Sequence, residues 1–382
     1  MSDLLKTTFS SQIFNKYILW FESSKRWLLL EEPAYFVYSA YSKKTQLKEI
    51  ATQCKDRYGL SSDESTRFIQ EIIDALLQHQ TALADYPDFE PNEDWAVVPD
   101  HFQFSCTYTI FKHNIHISFS NSSIAYYLHP LLKHFETEAP GHPDIGFKLF
   151  KSENKLTLLK EGTDKGCWTF DDILKLKKQL FLEISGTIYG KERKDWMSII
   201  HGSAVSNGKQ SLVLAASSGS GKSTLAALLM KKGCRVMSDD FLPLCGSSEK
   251  IYPFPIPISV KKVALPILSK KFPKLPDNPY AFAEYATEYV HLLPIDSNTD
   301  NMFDPFPVRY VVFPKYHPDS KLSLKPLDQD HAIQYIIDNA IILPGMKNAK
   351  QFIAWFKSIS FYTLQYSEPV KAANKLAQLI SS

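Results

Sequence analysis

Residues 211–224 read Ser-Leu-Val-Leu-Ala-Ala-Ser-Ser-Gly-Ser-Gly-Lys-Ser-Thr. An apolar run passes into a loop of small residues. Lys-Ser-Thr follows, then a helical pattern from Thr224 to Gly233 with two lysines in its last turn and a glycine to end it. No other stretch constrains the fold as tightly. Strand, small-residue loop and helix in this order let backbone N–H groups point inward at a polyanion, and bulky side chains would block them. Ala216 stands where such loops usually begin with glycine, but Gly219 and Gly221 remain. Ser217, Ser218, Gly219, Ser220, Gly221, Lys222, Ser223 and Thr224 are the candidate phosphate-binding residues. Lys222 supplies a point charge for the β- and γ-phosphates, and the Ser223 hydroxyl can ligate Mg²⁺. The competing reading is an ordinary Gly-Ser turn, which the flanking strand and helix disfavour.

Cys234 to Asp240 reads as a short strand ending in two carboxylates, Asp239 and Asp240. In open α/β sheets ligands sit beyond the carboxyl ends of strands, so the pair is expected to face the loop from the neighbouring strand. One carboxylate can hold Mg²⁺, and the other can take the proton of an attacking hydroxyl. Asp240 is assigned to the metal with Ser223, although spacing alone leaves the two roles interchangeable. The plainer alternative is a surface Asp-Asp turn or a helix cap. Upstream, Ile199–Val205 reads as one strand with His201 near its start, and Asn207-Gly208-Lys209 is a hairpin turn. His201 is either structural or placed to tune an aspartate or touch a phosphate.

Together these segments resemble the HPr kinase/phosphorylase superfamily, and more closely the HprK-related kinases found beside peptide-modifying genes in bacteria. The resemblance covers about residues 195–320 and rests on Ile-His-Gly-Ser-Ala-Val, Ser-Gly-Ser-Gly-Lys-Ser-Thr and Met-Ser-Asp-Asp-Phe. Two later segments agree: Tyr252-Pro253-Phe254-Pro255 and Val308-Arg309-Tyr310-Val311-Val312. It implies a P-loop core of the HPr kinase/PEP carboxykinase-like type, with ATP and Mg²⁺ as cofactors. Lys222 and Ser223 would bind triphosphate and metal, one of Asp239 and Asp240 would be the base, His201 would assist it, and Arg309 would stabilise the moving phosphoryl or anchor a strand end. The chain also departs from the family. No Arg-rich signature follows the Asp pair, and Ile256 stands where relatives often carry Arg. HPr is therefore not the expected acceptor, and the reverse phosphorylase activity is not carried over.

The fold class expected is α/β, in three parts. Residues 1–95 resemble a PqqD-like winged-helix domain: a hairpin of Tyr17–Phe21 with Trp27–Leu30, then helices near Ala34–Ala40, from Leu47 after a Thr45 cap, and from Ser62 with Phe68, Ile69, Ile72, Ile73, Leu76 and Leu77 on one face. Such domains hold a leader peptide by adding it as a strand; a packing or regulatory module is the alternative. Residues 81–100 read as a linker. Residues 96–190 form a β-rich segment packing on the kinase core, with strands over 101–135, more strands over 145–160 turning at Glu153-Asn154, and a helix from Asp171 to Ser185. His113 and His116 near a hairpin turn lack ligand partners for a metal. Residues 191–382 complete the kinase domain, with the Pro- and Tyr-rich stretch after Lys262 as a substrate-facing loop or irregular packing, and three C-terminal helices over the sheet.

Charge and cysteines narrow the partners. A net charge of +2 argues for neither nucleic acid nor an anionic membrane, and the helix after Ser62 begins acidic. Five cysteines without a Cys-x-x-Cys pair suit a reducing cytoplasm and offer no zinc site by spacing, and no apolar run has spanning length. The expectation is a cytoplasmic ATP-dependent kinase acting on a Ser or Thr hydroxyl of a ribosomally made precursor peptide or protein, held through the N-terminal domain. A homo-oligomer is compatible with the resemblance. A kinase of free serine or a sugar, and a non-catalytic nucleotide-gated peptide-binding module, are the alternatives.

Overall fold

A computed structural model describes residues 9–24, 26–81, 98–138, 142–152, 155–169, 172–278, 280–282, 289–295, 302–343 and 345–382. The chain divides into two units: 1–88 with 328–338 and 342–357, and 89–327 with 339–341 and 358–382. Residues 101–327 lie in one unit, so the β-rich segment and the loop-bearing sheet share it. The helices Gln329–Asn339 and Met346–Lys357 fall mainly in the first unit rather than over that sheet.

In the first unit the expected hairpin forms, Tyr17 pairing with Leu30 and Phe21 with Arg26. A third strand, Phe9–Ile13, adds on the outer side. Three helices follow: Glu32–Ser42, Leu47–Tyr58 and Ser62–Thr81. The third begins with a capping box, because Glu64 N–H donates to Ser61 Oγ and Ser61 N–H to Glu64 Oε2. Its Ile69, Ile73 and Leu76 are buried at helical spacing. The residue preceding the second helix is Gln46, with no side-chain cap, so Thr45 does not serve there. The linker lies mostly outside the described residues.

The second unit contains a five-stranded sheet in the order Phe104–Ile110, His113–Phe119, Ile145–Ser152, Lys155–Lys160, Thr163–Thr169. All its pairs are antiparallel except His113–Phe119 with Ile145–Ser152, which are parallel and joined through the helix Ser122–Leu132. A parallel pair requires such a crossover. Strand alternation was expected through 135; the helix wins because Asn121 caps it, accepting the Ile124 N–H at 3.1 Å, and Ile124, Leu128 and Leu132 bury one face. The Glu153-Asn154 turn lies outside the described residues. The helix expected from Asp171 runs Ile173–Tyr189 and ends at Gly190 in the left-handed region.

The large sheet carries the loop. Along its path Arg235–Asp239, Ser203–Ser206, Ser211–Leu214 and Phe306–Tyr316 are neighbours. The single strand expected over Ile199–Val205 is two, Trp196–Ile200 and Ser203–Ser206, which occupy different places in the sheet. The break falls at His201-Gly202, where a Cβ on Gly202 would meet the Leu214 carbonyl at 2.5 Å. The expected turn at Asn207-Gly208-Lys209 joins Ser203–Ser206 to Ser211–Leu214, with Gly208 at φ +87°. Behind the loop, Leu225, Leu228 and Leu229 share a buried cluster with Leu212, Leu214, Ala373 and Leu376. That cluster roots the loop helix in the sheet and in the C-terminal helix Pro369–Ser381.

Candidate active site

The loop 215–221 leaves the strand Ser211–Leu214 at its carboxyl end and enters the helix Lys222–Met230. Gly219 has φ +85° and Gly221 φ +96°, conformations that a side chain opposes. A Cβ at Gly221 would also run into the Tyr366 hydroxyl, which donates to the Ser220 carbonyl at 3.1 Å. The loop path is thus fixed from outside by the last residue of the strand Ser360–Tyr366. Lys222 Nζ reaches back over the loop to the Ala216 and Ser217 carbonyls, at 2.5 and 3.2 Å. Burial pushes the Lys222 ammonium down, while Asp239 and Asp240 pull it up.

Asp239 ends its strand and is almost wholly buried, 4% exposed. Between its strand and the loop strand runs Ser203–Ser206, so the aspartates come from one strand further than expected. That intervening strand contributes to the site, since Ser203 Oγ donates to Asp239 Oδ1. Ser223 Oγ donates to Asp239 Oδ2 at 3.0 Å, and the Ser259 N–H to the same oxygen at 3.1 Å. Burial raises the Asp239 carboxyl, the neighbouring Asp240 adds to the rise, and the three hydrogen bonds oppose it.

Asp240 turns away from this arrangement. Its φ of +80° is left-handed, a strained conformation for a residue with a Cβ, and its N–H donates to the Gly202 carbonyl at 2.7 Å. The side chain meets His201 Nδ1 at 2.6 Å and Lys177 Nζ at 3.1 Å. Burial opposes the Asp240 charge, but Lys177 and then His201 outweigh it and hold the carboxyl well below the usual range. Lys177 comes from the helix Ile173–Tyr189, and its side chain is nearly buried, with 9% exposure.

Lys222, Ser223, Asp239, Asp240 and His201 therefore line one cleft with Ser218, Gly219, Gly221 and Thr224. The structure does not bring Arg309 there. Arg309 is exposed near the start of the paired segment of Phe306–Tyr316, beside Ser211 and Leu212, whereas the loop departs beyond Leu214. Its guanidinium lies 6.0 Å from the Tyr310 ring centroid. The pairing of Ser223 with an aspartate also differs from the expected one, because its partner is Asp239 and not Asp240. Three contributors escaped the sequence reading: Lys177, Ser203 and Lys261. Lys261 Nζ donates to Ser218 Oγ at 3.0 Å and brings a second cation to the loop. The cleft also has apolar lining: Tyr127, Leu131, Val263, Ala264, Ala281 and Val290. Of the Pro- and Tyr-rich stretch, Val263, Ala264 and Ala281 reach the cleft, while Pro279 and Tyr285 lie outside the described residues.

The donor set suits a magnesium–triphosphate group. A hydroxyl and a carboxylate, Ser223 and Asp239, are hard oxygen ligands held together. Two ammonium groups face the same loop. Ser220 Oγ is buried without a hydrogen-bond partner, as a loop shaped for an additional acceptor would leave it. No family model and no curated protein matches the chain. Among solved structures, it is similar to the Hpr(Ser) kinase/phosphatase from Coxiella burnetii, at 13% identity over 48% of this chain and 90% of that chain, with a TM-score of 0.20. At that score the likeness adds nothing to the local geometry.

Among the described residues no helix is long and apolar enough to cross a membrane.

Proposed function

We propose that this chain is an ATP-dependent phosphotransferase that moves the γ-phosphoryl group to a hydroxyl. The observation that carries the reading is the separation of the two aspartates, Asp239 onto Ser223 and Asp240 onto His201 and Lys177, at the mouth of a glycine-bearing loop. Ser223 and Asp239 would hold Mg²⁺, which when bound neutralises phosphate charge. The loop N–H groups and Lys222 orient the triphosphate, and Lys261 adds a second positive charge at Ser218. Asp240 is the base. Its depressed carboxyl stays ionised at neutral pH, and it accepts the acceptor hydroxyl's proton at a carboxylate oxygen. His201 orients that carboxylate. This order of roles reverses the metal assignment suggested by sequence. Alcohols are weak nucleophiles at neutral pH, so positioning and charge stabilisation carry most of the acceleration.

The acceptor we favour is a Ser or Thr of a ribosomally made precursor peptide, as in peptide tailoring of the lasso type. The support is the small sheet-and-helix unit at residues 9–81, whose order matches the peptide-binding pattern read from sequence. The test is intact-mass spectrometry of peptides encoded beside the gene, incubated with the protein, ATP and Mg²⁺. A gain of one phosphoryl group is expected, and Lys222→Ala should slow it about 10²–10³-fold, as loss of one charge-stabilising donor does. ATP consumed with no peptide modified would transfer the reading to a small-molecule alcohol. Full transfer by Lys222→Ala would overturn the site.

A further inference from the structure

Away from the cleft, a second set of side chains carries ligand chemistry that phosphoryl transfer does not use. Cys106 lies on the strand Phe104–Ile110, His129 in the last turn of the helix Ser122–Leu132, and Glu136 just after the short turn Lys133–Phe135. One ligand atom from each falls within 4.8 Å of the other two. Cys106 Sγ donates to Glu136 Oε1 at 2.8 Å, and His129 Nε2 stands 3.9 Å from Glu136 Oε2. The other ring nitrogen, His129 Nδ1, is 2.9 Å from the hydroxyl of Tyr108, which is wholly buried. With Nδ1–H donating to that hydroxyl, Nε2 keeps its lone pair on the side of Glu136. Metal-binding histidines are oriented by such a partner on the far nitrogen.

The backbone holds the three in place. Cys106 and Tyr108 are two apart on one strand and so share a face. Glu136 forms an antiparallel bridge with Tyr108, and Thr137 N–H donates to the Thr107 carbonyl at 3.0 Å. Lys133 acts electrostatically on both Cys106 and His129 and opposes a cation, but a thiolate and a carboxylate together outweigh one ammonium.

We propose that Cys106 Sγ, His129 Nε2 and a Glu136 carboxylate oxygen bind a zinc ion, with water in the fourth position. A mixed sulfur, nitrogen and oxygen set selects zinc over magnesium or calcium, which prefer oxygen alone. Binding releases the thiol proton to solvent and replaces the Cys106–Glu136 hydrogen bond with two metal bonds. The ion clips the end of the helix Ser122–Leu132 to the sheet. That helix carries Tyr127 and Leu131 into the cleft wall, and just beyond it the His134 ring bonds the Pro255 carbonyl at 2.9 Å.

The experiment uses the full chain stripped of metal, titrated with Zn²⁺ against a chromophoric chelator and separately loaded with Co²⁺. One equivalent of zinc should bind, and the cobalt form should show a thiolate-to-metal charge-transfer band. Cys106→Ser should abolish that band. Tyr108→Phe should keep it and weaken zinc about tenfold, as loss of an orienting partner does. Absence of the band in the wild-type protein would overturn the site, as would equal zinc affinity in Cys106→Ser and His129→Ala. The wild-type spectrum decides the matter even if a variant fails to fold.

Discussion

Asp239 and Asp240 are adjacent in the chain, yet their carboxyls enter different surroundings because the backbone turns left-handed at Asp240. Asp239 receives neutral donors from Ser203, Ser223 and Ser259, and burial leaves it poorly disposed to carry a charge without a cation. Asp240 receives the ammonium of a nearly buried side chain and an imidazole. Its carboxyl is lowered, so the Asp240 charge contributes stability above the unfolded-state value of about 4, and that contribution fades as pH falls through the depressed folded value. If Asp240 is the base, as proposed, Lys177 is a positioning residue acting through it. Lys177→Met should move the acidic limb of the kcat–pH profile upward, since the carboxyl rises toward its ordinary range once its main cation is gone. A uniform fall in kcat with an unmoved limb would show that Lys177 only packs. Asp240→Asn should cost about 10²–10⁴ in kcat while leaving magnesium–nucleotide binding close to wild type, as measured by calorimetry.

At the scale of elements, the loop depends on a contact from distant sequence. Gly221 combines φ +96° with the Tyr366 hydroxyl against its Cα, so Gly221→Ala meets backbone strain and a collision together. A loss of about 1–3 kcal/mol is expected for the backbone strain, read by chemical denaturation, with nucleotide affinity falling alongside it. If the variant melts like the wild type, the loop is not held as described. The local pieces of this element were legible in sequence: the apolar strand, the loop and the helix each show in composition. The strand expected over Ile199–Val205 was not, because its apolar run continues across His201-Gly202 while the chain changes position in the sheet. At the break Gly202 lies so close to the Leu214 carbonyl that no side chain would fit there. Likewise, alternation over 101–135 read as strand until the Asn121 cap and its buried face settled 122–132 as helix.

For the whole molecule, the two units interleave in sequence. Trp27 packs against Phe352 with ring centroids 5.9 Å apart, and Asn15 N–H donates to Asp330 at 3.3 Å, all within the first unit. Removing residues 1–88 alone would strip cover from the apolar side of Met346–Lys357, where Phe352, Ile353, Trp355 and Phe356 are buried. That truncation should bind more hydrophobic dye and be cleaved sooner by protease than the full chain. Clean folding with full protease resistance would show that the two helices stand without the N-terminal segment. A test of peptide recognition is accordingly better made with point variants in residues 9–81 than with the deletion.

What short-range chemistry dictates could be read from the residues alone: a small-residue loop between strand and helix, a carboxylate pair at a strand end, and an N-terminal hairpin with three helices. Each depends on residues within one turn, strand or helix, where spacing and side-chain size suffice. Tertiary packing set which aspartate meets Ser223, that Lys177 brings charge to the second one, that Arg309 stays away from the loop, and that residues 329–338 and 346–357 join the N-terminal unit. Those outcomes rest on contacts between residues far apart in the chain. Their distances are set by sheet order and by packing, and no local pattern of residues records them.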